Sequence, residues 1–275
     1  MAGGDGVSLY YEDEYVQLHH GDYHDVLPAL SSVAHVICDP PYSEHVHGAA
    51  RSRVMSANDH GGRYGADLRR NVNLGFEHLQ ADDREFLAAE FARLADRWVL
   101  VFSDVEGGHA WRTDLATAGL DYVRTGAWIK RGSTPQFSGD RPATGFEAVT
   151  IAHPKGRKRW NGGGAHAVWD VPIVLNRARS EKSERVHPTQ KPLVLMRMLV
   201  TQFTDEGEVI LDPTAGGGTT GVAAKFEGRK AILIESQEQH CEASAKRLEA
   251  VEPQLVLAPA SPPQAFDFSA LEAGA

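Results

Sequence analysis

Short apolar runs alternate with helical patterns along this chain, and the alternation predicts a doubly wound parallel sheet. The candidate strands are EYVQLHH (14–20), AHVIC (34–38), RWVLVF (97–102), GAWIK (126–130), FEAVTIA (146–152), EVILD (208–212) and AILIE (231–235). Between the second and third lies DDREFLAAEFARLADR, with Leu87, Phe91, Leu94 and Trp98 at helical spacing and Asp82 placed as an N-cap three residues before Glu85. Another helix is expected to start at Pro192, with Met196, Leu199, Val200 and Phe203 as its buried stripe. A third is expected over 220–227, closed by Gly228.

Two stretches resist this pattern. Residues 43–71 are long, polar and Gly-punctuated, as expected of a substrate loop or lid. Residues 153–186 interleave basic and aromatic side chains, with Trp160 and Trp169 around a glycine triplet. The Pro- and Ala-rich end, 251–275, reads as a disordered tail.

Composition narrows the class of protein. A 275-residue chain with 42% hydrophobic residues can fill one large core. No apolar run reaches membrane-span length, and MAGGDG lacks the features of a signal peptide, so a cytoplasmic location is expected. Cys38 and Cys241 have no C-x-x-C neighbour and read as buried thiols. The net charge of -9 is unevenly spread: residues 130–191 hold twelve Lys or Arg against five Asp or Glu. One basic segment on an acidic body suits a protein that presents a single face to a polyanion; a solvated charged loop is the plainer reading.

The candidate chemistry begins at ICDPPYSE (37–44), where a strand runs into a carboxylate, two prolines and a tyrosine. Pro40 and Pro41 lack backbone donors and end the strand's pairing, which leaves Asp39 and Tyr42 in a stiff loop at a strand's carboxyl end. Ligands bind at that edge in open α/β sheets. An Asp-Pro turn with a packed tyrosine explains the same residues, and the motif alone leaves both readings open.

A second motif narrows the cofactor. VILDPTAGGGTTGVAAKFEGRKAILIE (209–235) reads strand, glycine loop, helix, strand, acid, with Gly216, Gly218 and Gly221 in G-x-G-x-x-G spacing and Glu235 where a ribose-binding acid belongs. Asp212 at the strand tip argues against a dinucleotide, because its charge would repel a pyrophosphate. A cofactor with an ammonium and no phosphate, such as S-adenosylmethionine, suits it better. No Gly-Lys-Ser/Thr follows the glycines, so a P-loop is excluded. Upstream, Lys191 at a helix start could bind a carboxylate, although an ordinary capped helix explains it equally.

Together DPPY, HPTQKPLVLM and LDPTAGGGTTGVAA, in that order, resemble the β class of DNA adenine-N6 and cytosine-N4 amino-methyltransferases. The resemblance spans roughly residues 14–250. It implies an α/β, doubly wound, mostly parallel seven-stranded sheet of the S-adenosylmethionine-dependent methyltransferase type, circularly permuted. Residues 7–152 become the catalytic half, 153–186 a target-recognition-like insertion and 187–250 the cofactor-binding half. Asp39, Pro40, Pro41 and Tyr42 become the catalytic tetrapeptide. Asp212, Gly216 and Gly218 line the methionine end of the cofactor, with Thr214 and Thr219 as further cofactor-binding candidates; Glu235 meets the ribose, the Gly21-Asp22 pair the adenine, and Lys191 the methionine carboxylate. The chain departs from the family at Thr214, where Phe is usual, and at Gly217, where Ser is common, which predicts weaker packing of the loop or adenosine.

The implied reaction methylates the N6 amine of a flipped-out adenine in double-stranded DNA, with cytosine-N4 transfer as the alternative. An RNA amino-methyltransferase or a non-catalytic DNA-binding subunit ranks behind both. For DNA contact the candidates by position are Lys155, Arg157, Lys158, Arg159, Trp160 and Arg177. A homodimer and a companion restriction endonuclease are the further partners to test. His45, His47 and His60 lack companion cysteines, and no metal is expected.

Overall fold

The computed structural model describes residues 7–41, 79–133, 140–174 and 190–252. Seven strands fall where the sequence pattern puts them: β2 (Val16–His20), β3 (His35–Cys38), β4 (Val99–Ser103), β5 (Asp121–Ile129), β6 (Phe146–His153), β8 (Val209–Asp212) and β9 (Lys230–Glu235). Two more, β1 (Ser8–Glu12) and β7 (Val168–Asp170), extend the sheet at its edges, giving the order β1-β2-β9-β8-β3-β4-β6-β5-β7. The expected seven-stranded sheet is the contiguous middle of this one. Strands β2, β9, β8, β3 and β4 are parallel; β6 runs against β4 and β5, and β1 against β2.

Helices cover both faces, so the central strands are buried on both sides and read as continuous apolar runs. On β4, Leu100 and Phe102 join a core with Met196, Leu199 and Phe203 of α4 (Leu193–Phe203) and Val222 of α5 (Thr219–Phe226). Val99 and Val101 face the other way, onto Leu87, Phe91 and Leu94 of α2 (Ala81–Leu94) and Trp111 and Leu115 of α3 (Gly107–Thr117). Phe91 is fully buried, and its truncation to Ala costs about 3–5 kcal/mol. A one-turn helix α1 (Tyr23–Val26), a 3-10 turn (Leu27–Ala29) and the last helix α6 (Glu238–Glu249) complete the described elements.

Three helix starts differ from expectation. Gln80, not Asp82, caps α2, and its backbone N–H donates to Asp83 Oδ2 at 3.3 Å. Asp82 instead lies in the first turn, where its charge favours the helix dipole. Trp98 lies beyond α2 on the way into β4, its ring edge-on to Phe203 with centroids 5.3 Å apart. Pro192 is the cap of α4 rather than its first residue, and α5 starts one residue early, at Thr219.

The topology fixes where ligands bind. The chain turns from β8 to β9 on one side, whereas β3 leads on to β4 on the other. The crevice between β3 and β8, at their carboxyl ends, is therefore the switch point of the sheet. No described helix is long and apolar enough to cross a membrane.

Candidate active site

Asp39, Pro40 and Pro41 leave the carboxyl end of β3, directly beside the tip of β8. Lys191 stands one residue before the cap of α4, and its ammonium lies 2.5 Å from Asp39 Oδ2. The same ammonium lies 3.3 Å from Glu147 Oε2, and Glu147 Oε1 is 2.9 Å from Lys130 Nζ. The Phe102 and Trp128 ring centroids lie 5.1 and 5.8 Å from Lys191 Nζ. Burial disfavours the lysine's charge, but the carboxylates of Asp39 and Glu147 outweigh it and hold its pKa above the ordinary value. The expected partner of Lys191 was a cofactor carboxylate; the structure gives it Asp39 and Glu147. Tyr42 and Arg177, like His45, His47 and His60, lie outside the described residues.

The glycine loop closes the other wall. Asp212 Oδ1 accepts from the Thr214 N–H at 3.1 Å and Oδ2 from the Thr220 hydroxyl at 2.5 Å. Burial lifts its carboxyl to about 7; the hydrogen bonds oppose this, and the charges of Asp39 and Glu235 add to it. Gly216 and Gly218 both take left-handed φ, +52° and +69°. A Cβ at Gly218 would stand 2.9 Å from Ser244, so glycine is required there. A Cβ at Gly216 would meet nothing within 4 Å, so this face of the loop borders open space.

Glu235, at the end of β9, accepts from the Gly216 N–H and the Gln237 N–H, each at 2.8 Å. Its backbone carbonyl accepts from Gly21 N–H at 3.0 Å, which places the exposed Asp22 one residue from the β9 tip. Thr219 is buried, its hydroxyl 3.3 Å from Arg247 of α6, and Arg247 also donates to the Gly217 carbonyl. Arg247 and Ser244, which donates to the Gly216 carbonyl at 2.9 Å, support the loop from a helix that sequence reasoning did not assign.

The two walls touch through Cys38 and Thr214, whose Sγ and Oγ1 are 3.4 Å apart. Thr214, at the position where the resembled family usually has Phe, thus makes a polar contact. Burial, with the charge of Asp212, pushes the Cys38 thiol well above its ordinary pKa, so it is not a thiolate nucleophile. A cavity of about 230 Å³ lies beside the Asp39–Pro41 loop, with Pro41, Arg84, Ser103, Asp104 and Trp111 in its lining. Among the described residues no group of three His, Cys, Asp or Glu could hold a metal.

The basic tract lies elsewhere. Strand β6 starts with Phe146 at the carboxyl edge of the parallel strands and ends with His153 at the opposite edge, a span of roughly 24 Å at about 3.4 Å per residue. Lys155, Arg157, Lys158 and Arg159 follow His153 and so sit across the sheet from Asp39. Lys158 pairs with Asp121 at 3.2 Å and Arg159 with Asp205 at 3.1 Å, which neutralises half of the tract. The Trp160 ring packs against Phe203, centroids 4.7 Å apart, and its N–H donates to the Gly163 carbonyl at 2.8 Å. These residues are DNA-contact candidates by position, and the topology sets Lys155, Arg157, Lys158 and Arg159 at the sheet edge opposite Asp39; a local charge excess carries no information about which edge it occupies.

Comparison with known proteins agrees with this geometry. A family profile described as DNA methylase, of the N6/N4 type, matches residues 122–246. The Type II methyltransferase M2.LlaDCHI of Lactococcus lactis subsp. cremoris is 27% identical over 87% of this chain and 91% of its own. The crystal structure of the M1.HpyAVI–SAM complex superposes with a TM-score of 0.60 at 20% identity, over 85% of this chain and 98% of that one. The cytosine-N4-specific PvuII DNA methyltransferase superposes with a TM-score of 0.64 at 15% identity, over 90% of each chain. The fold is the one that these two solved methyltransferases share. Residues 122–246 thus match the N6/N4 DNA methylase profile, and most of the chain is similar to a Type II methyltransferase.

Proposed function

We propose that the protein transfers a methyl group from S-adenosylmethionine to the N6 amine of adenine, in a base flipped out of double-stranded DNA. The reading rests on one observation above the others: Asp39 and the glycine loop of Asp212 stand side by side at the switch point, on paired parallel strands. The cofactor cleft suits a donor with an ammonium and ribose hydroxyls. Asp212 and Glu235 are buried carboxylates at neighbouring strand tips, and the Gly216 side of the loop opens onto space. When bound, S-adenosylmethionine supplies an electrophilic methyl carbon. Asp212 faces its ammonium in this reading and Glu235 its ribose, with Asp22 toward the adenine.

The rest of the chemistry belongs to the acceptor loop. An exocyclic amine is a poor nucleophile because its lone pair is delocalised into the ring. Asp39 and the Pro40 carbonyl accept its two N–H bonds, which favours a pyramidal nitrogen and stabilises the positive charge that grows as the new bond forms. The paired prolines hold those acceptors rigid. An amine inside a duplex cannot reach the cleft, so the base is extruded and stacks on Tyr42, a contact worth about 1–3 kcal/mol. A second copy of the chain and a companion restriction endonuclease are partners carried over from the resemblance.

The aspartate that opens the tetrapeptide favours adenine over cytosine-N4. The decisive test is incubation with unmethylated DNA and methyl-labelled S-adenosylmethionine, followed by digestion to nucleosides. Label in N6-methyladenine is expected; label in N4-methylcytosine would transfer the same mechanism to the other base.

A further inference from the structure

We propose that Lys191 is a positioning residue for the acceptor carboxylate, the middle of a buried relay Asp39–Lys191–Glu147–Lys130 that fixes the orientation of Asp39. The proposal rests on the reading of Asp39 as acceptor given above. It differs from the expectation that Lys191 holds the cofactor carboxylate.

The need for such a relay follows from torsional freedom. The terminal torsion of an aspartate is broad and roughly two-fold, so a carboxylate at the start of a loop does not hold its plane by rotamer preference alone. Directional acceptance of an N–H requires that plane to be held within about 10–20°. The Lys191 ammonium, 2.5 Å from Oδ2, supplies a charge-assisted restraint on the plane.

A lysine stem is itself flexible, so the ammonium needs a second hold. Glu147 provides it at 3.3 Å, while Phe102 and Trp128 present their ring faces to the same ammonium. Glu147 is in turn tied to Lys130 at 2.9 Å. Lys191 and Glu147 are only 6% and 8% exposed, so these contacts are shielded from water and salt. The four charges alternate in sign and sum to zero. The relay starts in the acceptor loop and ends at Glu147 on β6 and at Lys130, one residue past β5; the pairing of the two strands runs through Glu147 itself. Rigid elements thereby set the angle of a side chain on a loop.

Four variants test the proposal, read by single-turnover methyl transfer on unmethylated DNA and by calorimetric binding of S-adenosylmethionine. Lys191→Met is expected to slow transfer on the order of 100-fold, with cofactor Kd within about threefold of wild type. Glu147→Gln, which reaches Asp39 through Lys191, is expected to slow transfer about tenfold with Kd again unchanged. Lys191→Arg is expected to recover part of the rate lost in Lys191→Met. The Glu147→Gln variant carries the test if Lys191→Met fails to melt cooperatively. A raised Kd with an unchanged rate in Lys191→Met would return Lys191 to the cofactor, and a wild-type rate in Glu147→Gln would remove the relay. Asp39→Ala run alongside separates the two levels: if it keeps transfer, the acceptor reading fails; if it alone loses transfer, only the relay fails.

Discussion

Cys38 Sγ and Thr214 Oγ1 stand 3.4 Å apart, joining the strand that carries the acceptor loop to the loop that carries the glycines. A methyl group can pass between two pockets only if their walls are in register, and this contact sits one residue before Asp39 and two after Asp212. The thiol is buried and held protonated, so its part is structural. Cys38→Ala is expected to cost about 1 kcal/mol in urea melting and to leave the single-turnover rate within a few-fold of wild type. Loss of activity together with a covalent DNA adduct in the wild type would instead mark a thiolate mechanism.

Asp212 titrates near neutrality because burial, reinforced by the charges of Asp39 and Glu235, lifts it to about 7. Below that pH it is neutral and a poor partner for an ammonium. The Kd for S-adenosylmethionine is therefore expected to fall about tenfold between pH 6 and 8, and Asp212→Asn to flatten that dependence. The stability of the cofactor-free protein runs the opposite way. The folded pKa lies above the ordinary 3.8, so the group's contribution is full below about pH 4 and is lost as pH rises through about 7. Asp212→Asn should raise the melting temperature at pH 8 more than at pH 5.

Gly218 combines a left-handed φ of +69° with Ser244 2.9 Å from the position of a Cβ. Gly218→Ala is expected to lose about 1–2 kcal/mol of stability and to weaken cofactor binding, as read by thermal melting and calorimetry. Gly216→Ala pays the same backbone strain without the clash, so it should be the milder of the two.

The position of the basic tract gives a prediction that separates charge from site. Replacing Lys155, Arg157, Lys158 and Arg159 together by Ala is expected to leave single-turnover transfer on a short duplex within about twofold, since these residues lie across the sheet from Asp39. Arg131, exposed just beyond the carboxyl end of β5 and paired with Asp170 at 2.6 Å, lies at the same sheet edge as Asp39 and is the better-placed candidate for phosphate contact. Its replacement by Ala should weaken DNA binding and reduce the slope of log affinity against log salt, measured by fluorescence anisotropy.

Strands β3, β4, β6 and β8 were legible in the sequence because both of their faces are buried, which leaves contiguous runs such as VLVF at 99–102. Strand β1 escaped because SLYYE has no such run, and β7 because three residues become a strand only by pairing with β5. Helix α3 opens on Gly107-Gly108, which suppresses its propensity signal. The two motif loops were legible as residue types at a strand's end. The relay was not: Lys191 and Asp39 are 152 positions apart, and only the fold brings them together. One signal for it did exist, in Glu147, a carboxylate set inside the otherwise apolar FEAVTIA.

The account stands most directly on what Asp39 does. The measurement is methyl transfer by Asp39→Ala under single-turnover conditions on unmethylated DNA, with S-adenosylmethionine binding measured on the same preparation. Transfer is expected to fall at least about 100-fold while the cofactor Kd stays within about threefold. Transfer within tenfold of wild type, with the variant folded and cofactor-bound, would contradict it.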